Sequence, residues 1–244
     1  MKARNYAFDF IHASVEATTR SELRELVQRS IAAFGASSFL VSGVPSGRER
    51  CRDFVLLNGW SPEWSERYAS KRYYEIDPVI RMMLMSTSPF EWRTAASSMP
   101  MVRGAAQIAS EAAEFDMHNG ITVPIYSRTG DQSGVTFGGR EIATGGENVG
   151  ALRMIAIYAH ERASELASSD GGSGQGKLRR DLKLAPRELD VVRWAAEGKT
   201  SWETAEILGI AKKTVDHLVE RSCRKLNARN RVNMVTIAIR NGLI

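Results

Sequence analysis

Apolar residues recur along the chain with two periods, about 3.6 in some stretches and 2 in others, and each period predicts an element. The 3.6 spacing predicts helices over about 4–16 and 20–34, the second with Leu23, Leu26, Val27, Ile31 and Phe34 on one side. SSFLVSGV (37–44) and RDFVLLN (52–58) read as strands. Ser61-Pro62 opens a helix to about Lys71, and Asp77-Pro78 opens another through Met85, because proline is tolerated in a first helical turn. Ala105 to Phe115 is helical. ITVPIYS (121–127) and SGVTFGG (133–139) read as strands, parted by the turn Arg128-Thr129-Gly130-Asp131. A long helix from Glu147 to Ala167 places Val149, Leu152, Ile155, Ala156, Ala159, Ala163 and Leu166 along one face. This order predicts an antiparallel sheet with helices packed on both faces.

The pattern then breaks. Residues 168–176 read SSDGGSGQG, the composition of a flexible tether, and periodicity restarts at Leu182. The expected organisation is a domain over 1–167, a linker over 168–180 and a second domain over 181–244. Gly171, Gly176 and Lys177 imitate a phosphate loop, but a helix precedes them and Leu178 stands where magnesium chemistry needs Ser or Thr. Beyond the linker all the signals are helical. Pro186 starts a helix that carries Leu189, Val192 and Ala196 and stops at Gly198. Thr200 or Ser201 caps a second, with Ala205, Ile207 and Leu208, ended by Gly209. A third runs from Lys212 through Val215, Leu218, Val219, Cys223 and Leu226, and a fourth from about Val232 to Asn241. The expected fold class is therefore α+β: an N-terminal α-β-α sandwich and a C-terminal all-α domain of four helices.

Composition narrows the class. Hydrophobic residues make up 43% and charged residues 25%, so a packed core is expected. No apolar run reaches the roughly 18 residues of a membrane helix, and the first residues lack a signal peptide's pattern. The two cysteines, Cys51 and Cys223, make no disulfide framework, and the Cys and His residues have no zinc spacing. A reduced, cytoplasmic protein with no metal and no membrane association is expected. Charge is uneven. From Lys177 onward there are 15 Lys and Arg against 8 Asp and Glu, whereas the preceding residues carry 18 against 20. The basic third is thus the part suited to a polyanion.

The chemistry of that third is specific. Two short helices joined by a tight glycine turn make a helix-turn-helix, whose second helix enters the major groove of DNA. Here that helix carries Lys212, Lys213, Thr214, Asp216, His217, Glu220, Arg221, Arg224 and Lys225, the candidate DNA-binding residues. The stretch PRELDVVRWAAEGKTSWETAEILGIAKKTVDHLVERSCRKLNARNR resembles the helix-turn-helix of LuxR-type transcription regulators. Glu188, Gly198-Lys199-Thr200, Ala205, Leu208-Gly209-Ile210, Thr214-Val215, Lys225-Leu226 and Asn230-Arg231 carry the match. The chain departs from the family at Ala185 and Ala211, where capping Thr and Ser are usual, and at Val192, usually Leu. It departs again at Asp216 and Glu220, where many relatives carry Lys, Asn or Arg. A carboxylate accepts from a cytosine amino group but repels phosphate, so a different operator is expected.

In the larger domain Trp60, Trp64 and Tyr68 recur at every fourth residue, followed by Asp77 and Trp92. Taken alone, aromatics at this spacing are commonly core, and an Asp before Pro is commonly a helix cap. Trp64, Tyr68, Asp77-Pro78, Trp92 and Gly120 also match, without gaps, the acyl-homoserine-lactone-binding domain of LuxR-type quorum-sensing regulators. The resemblance implies that Trp64 donates its indole N–H to the lactone carbonyl and that Asp77 accepts the ligand amide N–H. It further implies that Tyr68 lines the acyl chain, Trp92 packs near the lactone, Val79 adds an apolar wall and Thr136 hydrogen-bonds near the acyl carbonyl. At Trp60 the family often has Tyr. A bulkier indole there suggests a short, branched or aryl acyl group.

These features point to a ligand-responsive transcription factor, a homodimer on a palindromic operator, with an acyl-homoserine lactone as ligand and no cofactor. An alternative is a regulator of the same type that senses another small molecule and has no partner synthase. An enzyme is not expected, because His12, His118, His160 and His217 form no metal motif and no nucleophile elbow is present.

Overall fold

The computed structural model describes residues 2–44, 54–99, 104–126, 132–169 and 184–244. They fall into two compact units, one within residues 2–169 and the other within 184–244. The expected tether lies outside the described residues from 170 onward, as do the 128–131 turn and the start of the 52–58 strand.

In the first unit α1 spans Lys2–Glu16 and α2 spans Arg20–Ala32. Thr19 starts α2 with a reciprocal capping box: its hydroxyl accepts from the Glu22 N–H, and the Glu22 carboxylate accepts from the Thr19 N–H. Strands β1 (Ser38–Gly43) and β2 (Val55–Asn58) follow, then α3 (Pro62–Ser70), a 3-10 turn (Tyr73–Glu75) and α4 (Pro78–Met83). Next come β3 (Phe90–Glu91), α5 (Trp92–Ser98), α6 (Ala105–Ala113), β4 (Asn119–Tyr126), β5 (Gln132–Gly139) and α7 (Glu147–Ser169). Ser61 and Asp77 cap α3 and α4, each with proline at the first helical position, as the sequence predicts. Three elements have no counterpart in the sequence reading: β3, α5 and the 3-10 turn.

The sheet has the order β2-β1-β5-β4-β3, and every neighbouring pair is antiparallel. Side chains alternate across it. Phe39, Val41, Ile121, Val123, Val135 and Phe137 face one way and share a continuous core with Phe10, Leu23, Ile31, Leu152 and Ile155 of α1, α2 and α7. Each such fully buried side chain contributes roughly 1.5–3 kcal/mol. The opposite face is built of smaller residues in three cross-strand rows: Ser38, Gly138 and Gly120; Leu40, Thr136 and Thr122; Ser42, Gly134 and Pro124. Helices α3 to α6 cover this second face. The result is the α-β-α sandwich, and the poverty of side chains on the second face leaves space inside it.

The second unit contains α8 (Pro186–Ala196), α9 (Ser201–Leu208), α10 (Lys212–Leu226) and α11 (Arg231–Arg240). Val192, Leu226, Met234 and Ala238 form one buried cluster, and Val191, Ala205 and Val215 form another. Thr200 makes a complete capping box with Glu203. Gly209 ends α9 with φ 63°, a left-handed conformation that glycine adopts without steric cost, and this turn sets α10 across α9. Ala185 and Ala211 offer no side-chain cap. The Ala185 N–H donates to the Glu188 carboxylate at 2.7 Å.

Candidate functional site

A cavity of about 1040 Å³ lies between the small-residue face of the sheet and helices α3 to α6. Trp60, Trp64, Tyr68, Asp77, Val79, Trp92 and Thr136 all line it. The middle row of the sheet, Leu40, Thr136 and Thr122, forms its floor. Trp64 and Tyr68 stand one turn apart on α3 and, with Trp60, make an aromatic roof. Their rings contact edge to face or tilted, with centroids 5.1 Å (Trp60–Tyr68), 5.8 Å (Trp64–Tyr68) and 6.1 Å (Trp60–Trp64) apart. The Trp60 indole N–H is buried with no partner among the described residues. A buried orphan donor costs about 1–3 kcal/mol, and it belongs to a residue that lines the cavity.

Asp77 supplies the complementary group. One carboxylate oxygen caps α4 by accepting the Val79 N–H at 2.8 Å, and the other accepts the Tyr68 hydroxyl at 2.8 Å. Each oxygen keeps a further lone pair. Burial pushes the carboxyl pKa upward, and the Tyr68 and Val79 hydrogen bonds pull it back only in part.

Trp92 closes one end of the cavity. It starts α5, directly after β3 pairs Phe90 with Thr122 and Glu91 with Ile121. Its indole lies over Gly120 and Gly138, where a Cβ at either glycine would run into the ring. Its N–H donates to the hydroxyl of Thr136 at 2.9 Å and of Thr122 at 3.2 Å, and the two hydroxyls are 3.0 Å apart. Thr136 is thereby engaged by Trp92. Thr122 was not among the residues singled out from the sequence, although its period-2 position on β4 puts it on the cavity face.

Helix α6 completes the wall with Ala105, Ile108, Ala109 and Ala112. Its outer face is strapped to α3: Lys71 meets Glu111 at 2.6 Å, and Arg67 meets Glu114 at 2.7 Å and Glu111 at 3.7 Å. Lys71 and Gln107 together hold the Glu111 pKa down to about 2.

In the second unit α10 exposes Lys212, Lys213, Thr214, His217, Glu220, Arg221, Arg224 and Lys225, while Asp216 is half-buried. These residues do not form one uniform face. Lys212 is paired with Asp216, one turn on, at 2.8 Å. Lys225 and Arg221 turn towards Glu188 of α8, a fully buried carboxylate, at 2.6 Å and 3.3 Å. Burial alone would raise the Glu188 pKa, but Lys225, the Ala185 N–H and Arg221 together bring it below the ordinary glutamate value. Arg221 and Lys225 therefore have a structural partner besides any nucleic acid. Arg231 holds the loop before α9 by donating to the Lys199 carbonyl at 2.6 Å and the Ser201 hydroxyl at 3.2 Å. Among the described residues no group of three or more His, Cys, Asp and Glu could hold a metal ion, and no helix is long and apolar enough to cross a membrane.

Comparison with known proteins follows the same division. Residues 19–163 match the family described as autoinducer binding domain, and residues 182–238 match the bacterial regulatory proteins of the luxR family. The chain is 30% identical to the transcriptional activator protein BjaR1 of Bradyrhizobium diazoefficiens, over 98% of this chain and 96% of that one. It is 33% identical to RpaR of Rhodopseudomonas palustris, a quorum sensing-dependent transcriptional regulator, over 94% and 93%. Among solved structures, Escherichia coli SdiA shares the fold, with a TM-score of 0.73 at 18% identity over 98% of each chain.

Proposed function

We propose a ligand and a mode of action from the premise that this chain belongs to the LuxR family of autoinducer-binding, helix-turn-helix transcription regulators. The ligand is an acyl-homoserine lactone. It has one amide N–H and carbonyl acceptors on an otherwise apolar body, and the cavity offers the converse set. Asp77 accepts the amide N–H, Trp64 donates to the lactone carbonyl and Trp60 donates to the acyl carbonyl. Trp92 lies beside the lactone ring, and Tyr68 and Val79 wall the acyl group. Thr136 acts by holding the Trp92 indole rather than by bonding the ligand alone. Small size and branching or an aromatic ring in the acyl group suit the indole that stands at position 60.

Two copies of the chain act together on a palindromic operator in the cytoplasm, and occupancy of the cavity controls that binding. The first turns of α10, with Lys212, Lys213, Thr214, Asp216 and His217, read the major groove. Glu220 and Arg224 lie further along the same helix, and Arg221 and Lys225 divide their charge between DNA phosphate and Glu188.

The observation that supports this reading is the convergence of the Trp60, Trp64 and Tyr68 rings and the buried Asp77 carboxylate on one largely apolar cavity. Titration calorimetry of the full chain with butanoyl-, isovaleryl-, benzoyl- and octanoyl-homoserine lactone tests it. Uptake of at least one is expected, weakened at least tenfold by Asp77→Ala and by Trp64→Phe. No uptake of any lactone, or equal uptake by both variants, would refute the assignment.

A further inference from the structure

We infer that Met83 is the adjustable stop that sets how long an acyl chain the cavity accepts, an inference that rests on the lactone reading above. Helix α4 runs from the Asp77 cap to Met83. At 1.5 Å per residue this is about 9 Å along the axis. A ligand anchored by its amide at Asp77 therefore has Met83 within the reach of its acyl chain, and both residues line the same cavity.

The far row of the floor explains the position of Met83. Ser42, Gly134 and Pro124 are neighbours across the sheet, and Gly134 contributes no side chain. The Met83 thioether sits in the vacancy, because a Cβ built on Gly134 would land on its sulfur. Met83 is 3% exposed, in a cluster with Phe90 and Ala95 bordered by Val44, Val79, Ile80 and Met82.

The two ends of the cavity differ in stiffness. Trp92 is a planar ring seated on two glycines and tied through its N–H to two threonines. Met83 has an unbranched side chain with three rotatable bonds and no polar tie, the kind of group that refills irregular space. Its backbone, by contrast, is fixed. The Tyr126 hydroxyl donates to the Met83 carbonyl at 3.3 Å and to the Ser86 carbonyl at 2.8 Å, and the Gln132 amide donates to the Leu84 carbonyl at 2.9 Å. Only the side chain of Met83 is left to move. It lies over Gly134 when the acyl group is short and swings aside for a longer one, while α4 and the Asp77 carboxylate stay in place.

The test is calorimetry of the full chain with butanoyl-, octanoyl- and dodecanoyl-homoserine lactone. Each methylene that gains buried space adds about fourfold in affinity. Met83→Ala is expected to raise the preference for dodecanoyl over octanoyl at least tenfold relative to the parent protein. Met83→Leu conserves volume but branches, so it is expected to lower that preference instead. If Met83→Ala does not fold, Met83→Leu decides alone. Length preferences unchanged within threefold in every folded variant would overturn the inference and leave the lactone reading intact. A parent protein that takes up none of these three straight-chain lactones would overturn the inference, and one that also takes up neither isovaleryl- nor benzoyl-homoserine lactone would overturn the lactone reading as well.

Discussion

Asp77 does two things with one carboxylate: it begins α4 through the Val79 N–H, and it fixes the Tyr68 hydroxyl inside the cavity. Burial raises its pKa above the ordinary aspartate value of 3.8, so the proton returns at a higher pH than in an exposed aspartate. The charged form is the stronger acceptor for a ligand N–H. Lactone affinity is therefore expected to fall as pH drops through the raised pKa, approaching about tenfold per pH unit below it. Calorimetry from pH 7.5 downward in the parent and in Asp77→Asn, which keeps an acceptor but does not titrate, checks this. A flat profile in the parent protein would contradict it. At this scale the sequence was informative about residue types and silent about partners. Trp92 and Thr136 were both legible as candidates. Their hydrogen bond spans 44 positions and depends on the register of β4 with β3 and β5, which no local pattern encodes.

Elements were legible where apolar periodicity was long and the caps were explicit. The helices opened by Ser61-Pro62, Asp77-Pro78 and Thr200 begin where their capping chemistry places them. Strand β3 has two residues, too few to alternate, and α5 follows it as WRTAASS with no side-chain cap and several weak helix formers. Tertiary pairing with β4 makes both. In the second unit, Glu188 is the counterpart of such a hidden tie, because it binds α8 to α10 through Lys225 and Arg221. Replacing it by Ala is expected to cost about 2 kcal/mol of stability, the range for a lost hydrogen bond to a charged group. The pKa of Glu188 is depressed on folding, so its contribution is complete above the unfolded value of 4.5 and is lost as pH falls through the folded pKa. Urea unfolding of parent and Glu188→Ala should differ at pH 7 and converge in acid. An equal gap at both pH values would show that the carboxylate's charge is not the cause.

For the molecule as a whole, the charge difference between the two parts of the chain and their family membership assign them different work: one takes up a small apolar guest, the other meets DNA. Control of one by the other is then a coupling free energy, and coupling is reciprocal. If the lactone changes operator affinity by some factor, operator DNA must change lactone affinity by the same factor and in the same direction. Typical couplings of about 1–3 kcal/mol correspond to 5–150-fold. The prediction is that operator affinity with and without saturating lactone, measured by fluorescence anisotropy, gives the same ratio as lactone affinity with and without operator. Asp77→Ala should bring the first ratio towards one while leaving DNA binding in the absence of lactone unchanged, since Asp77 lies in the cavity unit and not on α10. The salt dependence of operator binding should be the same in both proteins, because the substitution leaves the proposed phosphate-contacting cations of α10 in place. Ratios of one in both directions for the parent protein would mean that cavity and helix-turn-helix act independently, and that the signal enters the chain somewhere else.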